Sequence, residues 1–169
     1  MMAKNKHIKN GNLYLGIAIG MMAILFVASS QTYEQQSQVS LLEKLLKNQP
    51  FKEFFGTISF NYGGSPVSLA SSGYYQFVEF FIRKGAHFIS YFIIGGSLFL
   101  GLQPRLKQLS LTALISWLAA TGYAGLDESH QLLTGGRSAL FQDVMLDSLG
   151  ALTAILLCVI VLMFKKIRK

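Results

Sequence analysis

Four apolar runs set the terms for this chain. Leu13 to Ser29, Leu109 to Leu126 and Val144 to Phe164 each approach the ~20 residues that carry a helix across a bilayer, and Phe88 to Leu102 is short for a span unless His87 and its neighbours lie inside the membrane boundary. Lipid offers no water to unpaired backbone groups, so such runs fold as helices. The spacing predicts an all-α integral membrane protein, a four-transmembrane-helix bundle. Its spans lie at roughly 12–29, 84–102, 108–126 and 143–164, within a single domain over 1–169. Charged residues make up only 14% of the chain, against about 25% in soluble domains. The net charge of +7 gathers at the ends, at Lys4, Lys6 and Lys9 and again at Lys165, Lys166, Arg168 and Lys169. Basic ends beside apolar runs follow the positive-inside rule, and without a nucleic-acid-binding fold no nucleic-acid partner is expected. Cys158 stands alone, which excludes an internal disulfide and reads as a small hydrophobe. The Lys-rich start and Ala28-Ser29-Ser30 also resemble a signal peptide. The apolar run exceeds the ~7–15 residues of a signal core, which favours a retained span.

Residues 30–83 form a connection too long to lack structure of its own. Val39, Leu42, Leu45 and Leu46 share one face of an amphipathic helix, and Pro50 ends it or starts the next turn. Thr57 to Phe60 and Val67 to Leu69 alternate around the turn-rich Asn61 to Pro66, which predicts a small hairpin. The alternative is a loop held by Phe54, Phe55 and Phe60. Ser71 or Ser72 is expected to cap a helix from near Tyr74, running unbroken through His87 to Leu102. Its Tyr74, Tyr75, Phe77, Phe80 and Phe81 suit a membrane interface. Gln103 to Lys107 reads as a tight basic connection. Ser116, Ala119, Ala120, Gly122, Ala124 and Gly125 would let helices approach closely, as would Gly150 and Ala154. Four spans place both termini and the Arg105/Lys107 turn on one side, the cytoplasm. The amphipathic helix and residues 127–142 then lie on the outer, extracytoplasmic side.

Ionisable groups at mid-membrane are penalised by ~2.5–3.5 kcal/mol each on the insertion scale, so they survive by facing the bundle, pairing or sitting at the interface. Lys84, His87 and Tyr91 are spaced i, i+3, i+7, one helical face. Asp143 and Asp147 are four apart, as are Asp127 and Gln131. Three helices would thus gather cations (Arg83, Lys84, Arg137), acids (Asp127, Glu128, Asp143, Asp147) and imidazoles (His87, His130), each shifting its neighbours' protonation. For catalysis, Asp127 or Glu128 is the candidate general base and His87 the acid or orienter, with Arg137 stabilising developing negative charge. For binding, the candidates are Lys84, Tyr91, His130, Gln131, Arg137, Asp143 and Asp147. Structural roles compete with each. Arg137 can simply pair with Asp143 or Asp127, His87 can fix helix register, and Tyr91 can pack with its hydroxyl satisfied. His130 can be solvated in a connection, and Gly135-Gly136 can be a turn. His87, Asp127, Glu128 and His130 have ligand chemistry without a recognised ligand spacing, so no metal or cofactor is expected.

Taken together, Asp127-Glu128-x-His130-Gln131, Gly136-Arg137-Ser138 and Asp143-Val144-x-x-Asp147-x-x-Gly150-Ala151 resemble the signature of the VanZ-like family. These are small bacterial membrane proteins named for a teicoplanin-resistance protein. Lys84-x-x-His87-x-x-x-Tyr91 and Ser29-Ser30-Gln31 fit the same pattern, and the resemblance runs from 12 to 155 with 34–70 its weakest part. Gly135 stands where the family commonly has Pro, and Ala154 where it has Gly, which bears on turn stiffness and packing. The resemblance implies a multi-pass protein of the bacterial cell membrane and envelope, expected to lower susceptibility to lipoglycopeptide antibiotics. It supplies no reaction. Three functions stay open. One is a binding protein holding a membrane lipid, a lipid-linked cell-wall precursor or a lipoglycopeptide at an outer-leaflet polar site. Another is a membrane-embedded acid–base hydrolase or transferase on a lipid-linked envelope substrate. The last is a structural or assembly partner.

Overall fold

The computed structural model describes residues 2–134 and 140–167, with side chains described for 11–134 and 140–165. Four long helices form the frame: α1 (Met2–Ser29), α6 (Tyr74–Leu106), α7 (Leu109–Leu133) and α8 (Phe141–Ile167). Each is long and apolar enough to cross a membrane. α1 and α7 run parallel, since Met22 meets Tyr123 and Ser29 meets His130. α6 and α8 run parallel in the opposite sense, pairing Lys84 with Asp143 and Gly96 with Ala154. The buried core between them comprises Leu25, Tyr91, Ile94, Ala120, Ala124 and Ala151.

Backbones touch where side chains are smallest. A Cβ on Gly95 would lie 2.6 Å from the Ala151 Cα, and one on Gly150 would lie 2.5 Å from the Phe88 carbonyl oxygen. α1 and α6 meet the same way at Gly11 and Gly101. The close approach expected from the small residues of α7 is only partly realised. Ser116, Ala120 and Ala124 are buried, whereas Ala119 and Gly122 are exposed. A Cβ on Gly122 or Gly125 would meet nothing within 4 Å. Polar links serve α7 and α8 instead: Trp117 Nε1 donates to Ser148 Oγ at 2.9 Å, and Thr121 Oγ1 lies 2.8 Å from the same hydroxyl.

Several helix ends differ from expectation. α6 continues through Pro104 to Leu106, so Lys107 and Gln108 alone link it to α7, with Lys107 left-handed at φ 58°. α7 extends to Leu133 and carries Asp127, Glu128, His130 and Gln131 on helix rather than in a connection. Gly73 precedes α6 and gives it no side-chain cap. The serine cap lies earlier, where Ser68 and Ser71 form a capping box on α5 (Leu69–Ser72).

The long connection folds as three further short helices and a hairpin. α2 (Tyr33–Gln36) is opened by a Thr32–Gln35 capping box, and α3 (Val39–Leu45) is followed by α4 (Lys52–Gly56). Of the apolar face expected on α3, Leu42 is buried and Leu45 is exposed. β1 (Ser59–Tyr62) and β2 (Ser65–Ser68) pair antiparallel, Ser59 opposite Ser68 and Tyr62 opposite Ser65. The strands reach further into Asn61–Pro66 than their composition suggested. The turn is just Gly63-Gly64, both at positive φ, the conformation a two-residue hairpin loop needs. Aromatic contacts clamp this hairpin to the start of α6: Tyr62 on Phe80 at 5.2 Å and Phe60 on Phe81 at 6.2 Å. That clamp carries Tyr62 to the polar residues of the bundle.

Candidate functional site

The polar side chains of α6, α7 and α8 converge at the end of the bundle nearest the hairpin. Lys84 Nζ pairs with Asp143 Oδ1, and Tyr62 Oη donates to the same oxygen at 2.5 Å. Lys84 Nζ also stands 4.8 Å from the Tyr62 ring centroid, a cation–π contact. One turn further along, His87 Nδ1 lies 3.3 Å from Asp147 Oδ2. The i, i+3 spacing on α6 matches the i, i+4 spacing on α8 because parallel helices stay in step. On α7, Gln131 Nε2 donates to Asp127 Oδ2 at 3.2 Å. Glu128 Oε1 accepts the Leu140 N–H at 2.7 Å and so ties the start of α8 to α7.

Asp127, Glu128, Gln131 and Asp147 are all buried, with Asp147 3% exposed and Asp127 4%. Among the described residues, Asp127 Oδ1, Asp147 Oδ1 and Tyr91 Oη have no hydrogen-bond partner. A buried polar atom without one costs about 1–3 kcal/mol, and native proteins tolerate few of them. Tyr91 is fully buried, 6.2 Å from the Tyr123 ring. Its hydroxyl finds no partner among the described residues, which departs from packing with the hydroxyl satisfied.

His130 is neither in a connection nor among the cations and acids of α6 and α8. It stacks on Phe26 with centroids 4.5 Å apart, and its Nδ1 lies 2.8 Å from Ser29 Oγ. It fastens α7 to α1, while His87 faces α8. Thr134 Oγ1 strengthens the same seam by donating to the Ser29 carbonyl at 3.1 Å. Arg137, with Gly135, Gly136 and Ser138, lies outside the described residues. Among the described residues, no three His, Cys, Asp or Glu side chains gather as a metal site would require.

Two clefts open beside these residues. The first, about 400 Å3, lies between the hairpin and the helices and is lined by Tyr33, Tyr62, Glu79, Arg83, Lys84, Glu128 and Asp143. The second, about 410 Å3, lies between α1 and α6 and is lined by Ser29, Gln35, Arg83, His87, Ser90 and Asp127. Arg83 and Gln131 border both. The Arg83 guanidinium sits 4.8 Å over the Tyr33 ring, and among the described residues it makes no ion pair.

Three residues of this region had escaped the sequence reading: Tyr33, Tyr62 and Glu79. Glu79 is 1% exposed. It accepts the Gln38 N–H, the Ser37 hydroxyl at 3.1 Å and the Tyr33 hydroxyl at 3.5 Å. It thereby anchors the link between α2 and α3 onto α6. The available signal was a lone acid in the aromatic stretch Tyr74 to Phe81. No local pattern marks Tyr62 or Tyr33.

Burial, and then the adjoining Asp143 carboxylate, push the Tyr62 phenol well above the usual tyrosine range. In the unfolded chain the phenol ionises near pH ~10, while in the folded protein it stays protonated. Its contribution to stability is therefore complete below pH ~10 and is lost as pH rises through the folded value. We expect unfolding midpoints to fall from about pH 10 upward, and the fall to be shallower in Tyr62→Phe. Chemical denaturation at pH 8 and at pH 10.5 measures this, and identical slopes in the two proteins would contradict it.

A family model described as VanZ/LLP1 matches residues 14–163. No curated protein and no solved structure matches the chain.

Proposed function

The chain belongs to the VanZ/LLP1 family, and from that membership and the polar centre we propose a multi-pass protein of the bacterial cell envelope that binds an amphiphile. Its head group lies in the first cleft with phosphate or carboxylate on Arg83 and Lys84, and its tails lie between helices. The observation that carries this reading is Arg83, a cation at the meeting of two clefts with an aromatic ring beneath it and no carboxylate partner among the described residues. Guanidinium groups form strong paired hydrogen bonds with such oxyanions. Lys84, Gln131, Asp143 and Glu128 also line this cleft. The basic residues Arg105, Lys107 and Lys165 lie at the opposite end of the bundle, which supports a reading with the clefts outward and both termini in the cytoplasm. Holding a lipid-linked wall precursor, or a lipoglycopeptide such as teicoplanin, would lower the amount of antibiotic that reaches its target.

Native mass spectrometry of the purified protein tests the reading. Hydrogen bonds to charged groups contribute about 1.5–3 kcal/mol, so Arg83→Gln is expected to retain roughly 10- to 100-fold less anionic lipid. Equal retention would sink it. Teicoplanin susceptibility of cells making either protein tests the resistance role.

One observation favours a second reading, a hydrolase or transferase acting on a lipid-linked substrate. His87 borders the second cleft together with Asp127, and the buried Asp147 holds its Nδ1. A carboxylate-oriented imidazole beside a second carboxylate can move protons. The hydrolase reading requires a lipid product made by the wild-type protein and absent with His87→Gln.

A further inference from the structure

We infer that the cleft between α1 and α6 is a separate subsite for a primary ammonium group, with Asp127 as its acceptor. The inference rests on the amphiphile reading and names the head group: a phosphate at Arg83 with an ammonium a short linker away. Asp127 lines this cleft, is 4% exposed, and has Oδ1 without a partner among the described residues. Asp147 Oδ1 is likewise without a partner among the described residues, but the two neighbouring acids differ from Asp127 in the groups they face. Asp143 meets the Lys84 ammonium and Asp147 meets His87, whereas among the described residues Asp127 accepts from the neutral Gln131 amide alone. A hydroxyl on the ligand would supply one hydrogen bond and no charge. An ammonium supplies both, which is what a buried carboxylate needs. Arg83 borders both clefts, so a phosphate seated on it places the adjoining ammonium at the second cleft.

The wall of the cleft agrees with a ligand that arrives sideways from the bilayer. Ile82, Ala86 and Ser90 fall at i, i+4 and i+8, one stripe of α6. Ile82 and Ala86 are exposed, and Leu25 and Ala28 of α1 face the same space. At the other end of these helices Gly11 and Gly101 bring the backbones together. Among the described residues the gap therefore opens toward the Asp127 end of these helices. An acyl chain can lie along this apolar stripe while its head reaches the carboxylate.

The test is native mass spectrometry of the full chain in detergent, offered chain-matched phosphatidylethanolamine, phosphatidylglycerol and phosphatidylcholine in equal amounts. Phosphatidylethanolamine is expected to be retained about tenfold over phosphatidylglycerol, one step of ~1.4 kcal/mol. Phosphatidylcholine, whose quaternary ammonium has no N–H, should not share the preference. Asp127→Asn should lose the preference while still retaining phosphatidylglycerol. Ala86→Leu, a change on an exposed wall, should narrow the cleft and reduce the preference as well. A preference that persists in both variants overturns the inference. Phosphatidylglycerol and phosphatidylethanolamine held equally by the wild-type protein would overturn the ammonium subsite and leave the amphiphile reading standing. No retained phospholipid at all would overturn both.

Discussion

Gly95→Leu is expected to abolish the native bundle. A Cβ at Gly95 would stand 2.6 Å from the Ala151 Cα, 2.7 Å from its Cβ and 2.7 Å from its carbonyl oxygen. All three atoms belong to or adjoin backbone, and a helix cannot yield locally there. α6 and α8 must separate, which also parts Lys84 from Asp143 and His87 from Asp147. Overpacking a core typically costs 1–3 kcal/mol (about 3 or more for Gly95→Ala here, because the obstacle is backbone). The gain of about 1 kcal/mol in helix propensity on leaving glycine offsets only part of this. Gly122 is the internal control, since its Cβ would meet nothing within 4 Å. Gly122→Ala should be neutral or stabilising by up to about 1 kcal/mol. Thermal unfolding in detergent, followed by circular dichroism, measures all three. If Gly95→Ala melted with the wild-type protein, the α6–α8 contact described here would be wrong.

Lys84→Met should have the next largest effect. Among the described residues, it leaves the Asp143 carboxylate at the junction of α6, α8 and the hairpin with the Tyr62 hydroxyl alone. Breaking a fully buried ion pair costs about 3–5 kcal/mol. The Lys84 and Asp143 side chains retain 19% and 18% exposure, so solvent screening lowers the expected loss to roughly 2–3 kcal/mol. The double substitution Lys84→Met, Asp143→Leu removes the orphaned charge and should recover most of that loss. A coupling of at least ~1 kcal/mol between the two sites is expected from the double-mutant cycle. Additive effects would mean that the pair contributes nothing to the fold. Amphiphile retention should fall in both variants even where stability returns, because the cation is gone from the first cleft.

The number of long helices, their order and the face shared by Lys84, His87 and Tyr91 were legible from the residues alone. So were the pairs Asp127–Gln131 and Asp143–Asp147 and the existence of the hairpin. All of these depend on local periodicity, which a chain carries in its own spacing. With four alternating helices, α6 and α8 must also be parallel, which is why the two spacings could pair one with the other.

What remained hidden depends on how each helix is turned about its axis and on what lies across the space beside it. Gly95 and Gly150 make the close approach while Gly122 and Gly125 do not, although all four are glycines in apolar runs. His130 points to Phe26 and Ser29 of α1 rather than joining His87. Tyr62 reaches Asp143, 81 residues away, because aromatic rings fix the hairpin to α6. Sequence determined four span-length helices with their polar residues concentrated toward one end, because apolar length and i, i+4 spacing are properties of a single segment. Only the tertiary structure decided which charges pair, which carboxylate oxygens go without a partner among the described residues, and that Arg83 stands where two clefts meet. Those depend on packing between segments far apart in the chain.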